Sequence, residues 1–354
     1  MTHSGKTITI DGSQGEGGGQ VLRTSLSLSL LTGQPFLITS IRARRSQPGL
    51  RPQHLKAVEA AGRISSAEME GAAVGSASLY FEPGEIHPGR YSFEIKTAGA
   101  ASLVLQTVFL PLSQCNAASN ITLTGGTHVP WSPSFHYLEL QWLPFMQRAG
   151  FEARLELQEA GFYPQGGGRI LATVRPVKEI RPLSITDRGR LRQIRGISAV
   201  SNLDRRIARR QREQVIRRLG ARYPLNDIRI QEMPSRFMGT MLLLLGEFEF
   251  SQCCYFALGA KGKPAEQVAD EAIDALEEFL ATDGAIDQYL ADQLLLPLSF
   301  AEGVSQLRTS KVTDHLVTNA RIIQSFIPAQ IEIQGEIGEA GTVTIHPGEK
   351  GGRG

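Results

Sequence analysis

Lys6-Thr7-Ile8-Thr9-Ile10-Asp11 runs into Gly12-Ser13-Gln14-Gly15-Glu16-Gly17-Gly18-Gly19-Gln20, and then Leu22, Leu26 and Leu30 follow. The first six residues alternate apolar and polar, as a half-buried strand does. The three leucines recur at i, i+4 and i+8, the spacing of one helix face. A glycine-rich turn between strand and helix leaves backbone N–H groups free to cradle an anion. The turn is not a dinucleotide fingerprint, because Gln20 stands where the third glycine is required, and it lacks the Gly-Lys-Ser/Thr of a P-loop. Glu16 inside it suggests a divalent cation between carboxylate and phosphate. The plainer reading is a tight turn that needs positive φ.

Outward from that unit the alternation continues. Strands are expected at Phe36–Ile41, Tyr91–Ile95, Asn120–Thr124, Arg154–Leu157 and Gly168–Val174, and helices at His54–Ile64 and Ala101–Leu110. Leu138, Trp142, Phe145 and Ala149 mark a further helix face. Gln165-Gly166-Gly167-Gly168-Arg169 echoes the first glycine-rich turn, which points to repeated α+β units. An arginine-rich stretch from about Ser184 interrupts the pattern. Beyond it come strands at Met241–Phe250 and Cys254–Leu258, an acidic helix at Ala265–Leu280, a short strand at Leu294–Pro297, and closing strands at Gln330–Gln334 and Thr342–His346.

The chain has 354 residues, 41% of them hydrophobic and 20% charged, enough for a large core in one or two domains. No basic segment followed by an apolar run opens it, and its longest apolar run, Met241–Leu245, is too short for a bilayer. Cys115, Cys253 and Cys254 form no C-x-x-C pair, so a reducing, cytoplasmic setting is the expectation. The net charge of +2 conceals thirteen arginines and three acids between Arg181 and Arg222, a local +10. A smaller basic stretch, with Arg23, Arg42, Arg44, Arg45, Arg51 and Lys56, has no acid before Glu59. Basic stretches suit a polyphosphate partner. For Arg205–Arg218 the spacing also fits a solvated helix face.

Thr313-Asp314-His315-Leu316-Val317-Thr318-Asn319 reads as a helix start, with Leu316, Ala320 and Ile323 inward. His315 then sits in the first turn, where free N–H groups attract phosphate and the dipole disfavours a second ring proton. A neutral imidazole beside a phosphate is set up for a phosphoramidate. The plainer reading is a histidine in a capping turn.

Together these pieces resemble the RNA 3′-terminal phosphate cyclases nearly end to end. The resemblance is carried by Asp11–Arg23 (DGSQGEGGGQVLR), Ile41–His54 (IRARRSQPGLRPQH), Leu103–Thr107 (LVLQT), Gly125-Gly126-Thr127, Gly161–Gly168 (GFYPQGGG), Leu290–Leu296 (LADQLLL) and His315–Asn319 (HLVTN). It implies an α+β fold: three repeated units like those of enolpyruvyl transferases form a large domain from residues 1–183 and 280–346. A small α/β domain is inserted at 184–279, and 347–354 form a disordered tail. Two stretches depart from the family pattern, Thr97–Ser102 and His128 after the Gly-Gly-Thr turn, without implying loss of activity.

The resemblance also implies the chemistry. His315 would attack the α-phosphorus of ATP, giving histidine–AMP and pyrophosphate. AMP would pass to an RNA 3′-phosphate, and the neighbouring 2′-OH would expel it to leave a 2′,3′-cyclic phosphate. Catalytic roles fall to His315, Glu16, Arg23 and Asp292, with Glu16 facing Mg²⁺ or Mn²⁺. Gln106, Pro133, Tyr289, Asp292, Gln293 and Asn319 would hold the nucleotide. Arg42, Arg45 and Gln53 would hold substrate phosphates. The partners are ATP and RNA with a 3′-terminal phosphate, with no membrane, and homo-oligomers are left open. The competing readings are a non-catalytic cyclase-like RNA-processing factor, an enolpyruvyl transferase, and a basic RNA-binding module. The first lacks the nucleophilic histidine and the second needs none. The third gains little from a 7% aromatic content. The arginines of the insert are expected to tune RNA affinity rather than adenylation.

Overall fold

Three times the chain builds the same four-stranded sheet. The computed structural model describes residues 7–15 and 17–348. The first unit comprises β1 (Ile8–Asp11), α1 (Gly19–Thr32), β2 (Phe36–Thr39), α2 (Pro52–Ser65), β3 (Glu68–Glu70) and β4 (Leu79–Glu82). Its strands lie in the order β1-β2-β4-β3, with β1 parallel to β2 and the other pairs antiparallel. The second repeats this with β5 (Arg90–Glu94), α3 (Ala101–Ser113), β6 (Ser119–Gly125), a helical run α4 over 135–148 with a π-turn at Leu138–Trp142, β7 (Ala153–Glu159) and β8 (Gly168–Val174). The order is β5-β6-β8-β7, with the same directions.

The third unit starts at β9 (Ser184–Ile185) and is then interrupted. The inserted segment folds as β10 (Leu191–Ser201), α5 (Arg206–Leu219), β11 (Leu225–Glu232), β12 (Gly239–Phe248), β13 (Gln252–Leu258) and α6 (Ala265–Leu280) around its own sheet, β11-β10-β12-β13. The unit resumes with α7 (Gln288–Leu298), β14 (Ser305–Thr309), α8 (Asp314–Phe326), β15 (Gln330–Gln334) and β16 (Gly341–His346), giving β9-β14-β16-β15. Ser184, at the expected start of the insert, thus pairs with Gln306 inside the third sheet. Each unit is a βαβαββ module whose parallel pair needs a helical crossover.

Sheet alternation explains the layering. Strands such as β8 and β16 bury every second residue against the helices and leave the others half-covered. One apolar core runs from Ile10 to Ile345 through all three units, and a second, with Ile194, Val215, Leu244, Ile273 and Phe279, belongs to the insert. The expected strand at Leu294–Pro297 is instead the second half of α7. Asp287 caps that helix, accepting from Tyr289 N at 3.1 Å and Leu290 N at 2.9 Å. Leu290, Ala291, Leu294, Leu295 and Leu298 are buried at helical spacing. A short leucine run carries no period of its own, so strand and buried helix look alike in sequence.

Part of the charge asymmetry is resolved inside the insert, where Arg210 and Arg218 of α5 face acids of α6. Arg210 meets Glu266 at 2.6 Å, and Arg218 reaches Asp270, Asp274 and Glu277 at 3.0, 2.7 and 2.7 Å. Arg188 closes the C-terminal end of α6. Its guanidinium donates to the carbonyls of Phe279, Leu280, Thr282 and Gly284 and lies over the rings of Phe248 and Phe279. Among the described residues no helix is long and apolar enough to cross a membrane. Residues 349–354 of the expected tail lie outside the described residues.

Candidate active site

Four helix starts converge on one surface. Thr313 caps α8, its hydroxyl accepting from Leu316 N at 3.1 Å, so His315 stands in the first turn as expected. The glycine-rich turn lies directly on this helix: Gly15 has φ +60, and a Cβ there would lie 2.2 Å from Thr318 Oγ1. The turn then delivers α1 beside α8. At Gly19 a Cβ would lie 2.3 Å from His54 Nε2 and 2.8 Å from Arg23 Nη1, so a glycine lets α1 start against α2. Gln53, beside His54, accepts from Ala100 N at 3.5 Å and ties in α3. Neither Gly18 nor Ala100, the N-caps of α1 and α3, has a side chain that could accept from first-turn N–H groups. Ala101 N of α3 already donates to Gly126 O at 2.8 Å; the uncapped N–H groups that remain are suited to an anion.

At the centre is a chain of polar contacts. Thr24 Oγ1 donates to Asn319 Oδ1 at 2.8 Å, and Asn319 Nδ2 donates to Asp292 Oδ1 at 2.9 Å and to its main-chain carbonyl at 3.1 Å. Gln20 Nε2 donates to both Asp292 oxygens, at 2.6 and 2.7 Å, and Gln20 Oε1 meets His315 Nδ1. The carboxylate can only accept, which fixes the amide's orientation and makes Gln20 Oε1 the group facing the ring. His315 Nδ1 therefore carries the proton and Nε2 the lone pair. His315 as a residue is exposed.

Electrostatics favour the neutral ring. Burial pushes the His315 pKa down. Asp292 opposes this, Arg23 and Arg45 reinforce it, and Asp314 opposes it. Burial pushes Asp292 up, against the stabilising contacts of His315, Gln20, Asn319 and Arg23. Arg23 is lowered to about 10 by burial, offset in part by Asp292, and stays a cation at neutral pH. His54 is held to about 3 by burial and then by Arg23, Arg42 and Arg51, so it is neutral; its Nδ1 accepts from Arg51 N at 3.1 Å.

Of the residues expected from sequence, His315, Arg23, Asp292 and Asn319 come together here. Gln293, next to Asp292, accepts from Gln106 Nε2 at 2.9 Å, joining α7 to α3. Tyr289 opens the same helix with its ring exposed, edge-on to Tyr255. Pro133 lies in the turn that follows Gly125-Gly126-Thr127, half-buried. Arg42 is turned into its own loop, donating to Gln47 O at 2.7 Å and Gly49 O at 3.3 Å, whereas Arg45 is exposed. Glu16 lies outside the described residues. Among those described, no group of three or more His, Cys, Asp or Glu could hold a metal ion. Both Asp292 oxygens accept from amide donors.

Three contributors escape the sequence reading. Gln20 is legible there only as the residue that breaks a fingerprint. His54 sits in a quoted motif without a role. Asp287 is fully buried, accepts from Tyr137 Oη at 2.8 Å and Gln141 Nε2 at 2.7 Å, and is raised to about 6 by burial against those donors. It fixes the start of α7 and hence the position of Asp292. An acid three residues before the first buried leucine of a helix is its only sequence signal.

Comparison with known proteins identifies relatives of the whole chain. The family described as RNA 3′-terminal phosphate cyclase matches residues 14–333. The RNA 3′-terminal phosphate cyclase of Ralstonia nicotianae is 44% identical over 331 residues, covering 93% of this chain and 94% of its own. That of Thermococcus onnurineus is 41% identical over 340 residues, covering 96% and 98%. Among solved structures, the enolpyruvyl transferase NikO from Streptomyces tendae aligns over 97% of this chain and 49% of its own, with a TM-score of 0.38 and 10% identity.

Proposed function

The chain belongs to the RNA 3′-terminal phosphate cyclase family, and on that premise we propose that it uses ATP to convert an RNA 3′-terminal phosphate into a 2′,3′-cyclic phosphate through a covalent histidine–AMP. The observation that carries the proposal is the Asp292–Gln20–His315 chain, which leaves His315 Nε2 as the nucleophilic nitrogen.

In this reading Nε2 attacks the α-phosphorus of ATP, a P–N bond forms, and pyrophosphate leaves with the P–O electrons. Gln20 Oε1 holds the Nδ1 proton and spreads the positive charge that develops on the ring, backed by Asp292. An oxygen of the RNA 3′-phosphate then displaces His315 from phosphorus, giving an RNA 3′-adenylate and restoring the neutral ring. Finally the 2′-oxygen attacks the terminal RNA phosphorus, losing its proton as AMP departs. Adenylation is what makes this last step feasible: a phosphate monoester is a poor electrophile until a good leaving group replaces one of its charged oxygens.

Arg23 and the open starts of α1 and α3 supply positive potential for phosphates. Gln106, Gln293, Tyr289 and Pro133 frame the nucleotide, and Arg42, Arg45 and Gln53 lie on the RNA side. Mg²⁺ or Mn²⁺ would be held by the ATP phosphates together with Glu16, and would offset phosphate charge. The three free cysteines suit the cytoplasm.

The test is incubation with Mg²⁺ and ATP labelled on the α-phosphate, followed by denaturation. Acid-labile label on the protein, absent from His315→Ala, supports the intermediate. Absence of label on folded protein that binds RNA favours a non-catalytic RNA-processing factor.

A further inference from the structure

Trp131 is 99% exposed and has φ +64. A left-handed backbone is costly for a bulky residue and persists only where its surroundings enforce it. Here they do. Val129 is buried against Gly126, Ser132 Oγ donates to Val129 O at 3.1 Å, and Ser134 caps the following helix, so the turn holds the indole outward.

The turn belongs to a continuous ledge. Gln53 at the start of α2 meets Ala100, and Gly126 N donates to Gly99 O at 2.8 Å. Thr127 N and His128 N both donate to Gly161 O at 2.9 Å, and His128 bridges to Phe162. Gly166 lies against Thr97 and Ala98, and Gly167 against Phe237 of the insert. The ledge therefore runs from the His54–Arg23 side of the active site to the insert. Along it Trp131, Tyr163 (68% exposed) and Met238 (66%) present apolar faces to solvent. At its active-site end Arg42 and Arg51 lie close enough to His54, and Arg45 close enough to His315, to act on those rings, in a stretch of sequence without an acid. Exposed aromatics beside a basic margin are what a flexible polynucleotide requires, because every base has a face to stack and every linkage a charge to neutralise.

We propose that this ledge is the track for single-stranded RNA immediately 5′ of the terminal phosphate, with Trp131 stacking on a base. The proposal rests on the cyclase reading for the identity of the RNA end, but its test reads binding, not catalysis. The chain has two tryptophans, and the other, Trp142, is buried against Phe109. In Trp142→Phe the emission therefore reports Trp131 alone. A 3′-phosphorylated single-stranded oligonucleotide should quench that emission saturably, whereas ATP or a blunt RNA duplex should not. Trp131→Ala should weaken RNA binding about tenfold while AMP labelling of the protein stays within about twofold. Should Trp142→Phe misfold, the unaltered protein with 2-aminopurine near the RNA 3′ end gives the same readout from the RNA side.

Emission unchanged by the oligonucleotide, quenching by ATP alone, or full RNA affinity in Trp131→Ala each overturns the proposal. Quenching by RNA in a protein that takes no AMP label would sink the cyclase reading and leave the track standing.

Discussion

Gln20 Nε2 lies 2.6 and 2.7 Å from the two carboxylate oxygens of Asp292, although 272 residues separate the pair in sequence. The contact orients the amide so that its oxygen meets His315. Gln20→Leu keeps the bulk and removes both bonds, freeing the ring to rotate and to change tautomer. Single-turnover AMP transfer to the protein should slow about a hundredfold, the scale of a misplaced reacting group. ATP binding should change much less. An unchanged transfer rate would show that the bridge has no part in the chemistry.

The pH profile of that transfer follows from the depressed His315 pKa, whose first cause is burial. In the proposed mechanism the neutral ring is the nucleophile, and its folded-state pKa lies below the ordinary 6.5. The rate should stay near its plateau from pH 8 to 7 and fall as the ring is protonated in more acid solution. Measured single-turnover rates that already decline between pH 8 and 7 would contradict the assignment.

Much of the fold can be read from the sequence, and the exceptions share a cause. Helices such as α6 and strands such as β8 declare themselves because one face is apolar at a regular period. β3 does not, since all three of its residues are exposed, and neither does β9, only two residues long. Both are specified by the strands beside them. The triple repeat becomes plain only when β9 is found paired with β14 across the insert. At the site, His315 and Asp292 are conspicuous as chemistry-bearing residues. Gln20 and Asp287 act through partners far along the chain, and a residue whose role is to orient another has no period or charge to mark it.

Buried neutral histidines give the protein a stability slope in mild acid. His136, 3% exposed and 2.8 Å from His128, is lowered to about 4 by burial and then by Arg229. Between that value and the unfolded 6.5 the unfolded chain binds the extra proton, so stability is complete above 6.5 and drains away as pH falls. At pH 5 this residue alone costs about 2 kcal/mol. Urea unfolding of His136→Asn at pH 7.5 and pH 5 should show a smaller difference than the parent. Equal differences would remove His136 from the account.

Arg188→Ala should destabilise the insert by about 3 kcal/mol, because four carbonyls at the end of α6 lose their donor and two rings lose their cation. Thermal unfolding followed by calorimetry checks this. Arg188→Lys should recover only part of the loss, since an ammonium cannot span four acceptors in a plane.

Replacing Arg205, Arg206, Arg209 and Arg210 together by alanine should leave AMP transfer within about twofold of the parent. Glu232, Asp204 and Glu266, which pair with Arg205, Arg206 and Arg210, lie on the insert surface, where an ion pair contributes roughly 0–1 kcal/mol. The same variant should bind RNA more weakly, with a shallower dependence on salt. A collapse of AMP transfer would place these arginines in the nucleotide site instead.

The turn before α1 rests on Thr318, and Gln20 meets His315 across 295 residues. Segments of the first and third units therefore close one pocket like a clasp. A fragment that holds only one of those units carries only half of the constellation, so the site comes into being when the two units dock, not when either one folds.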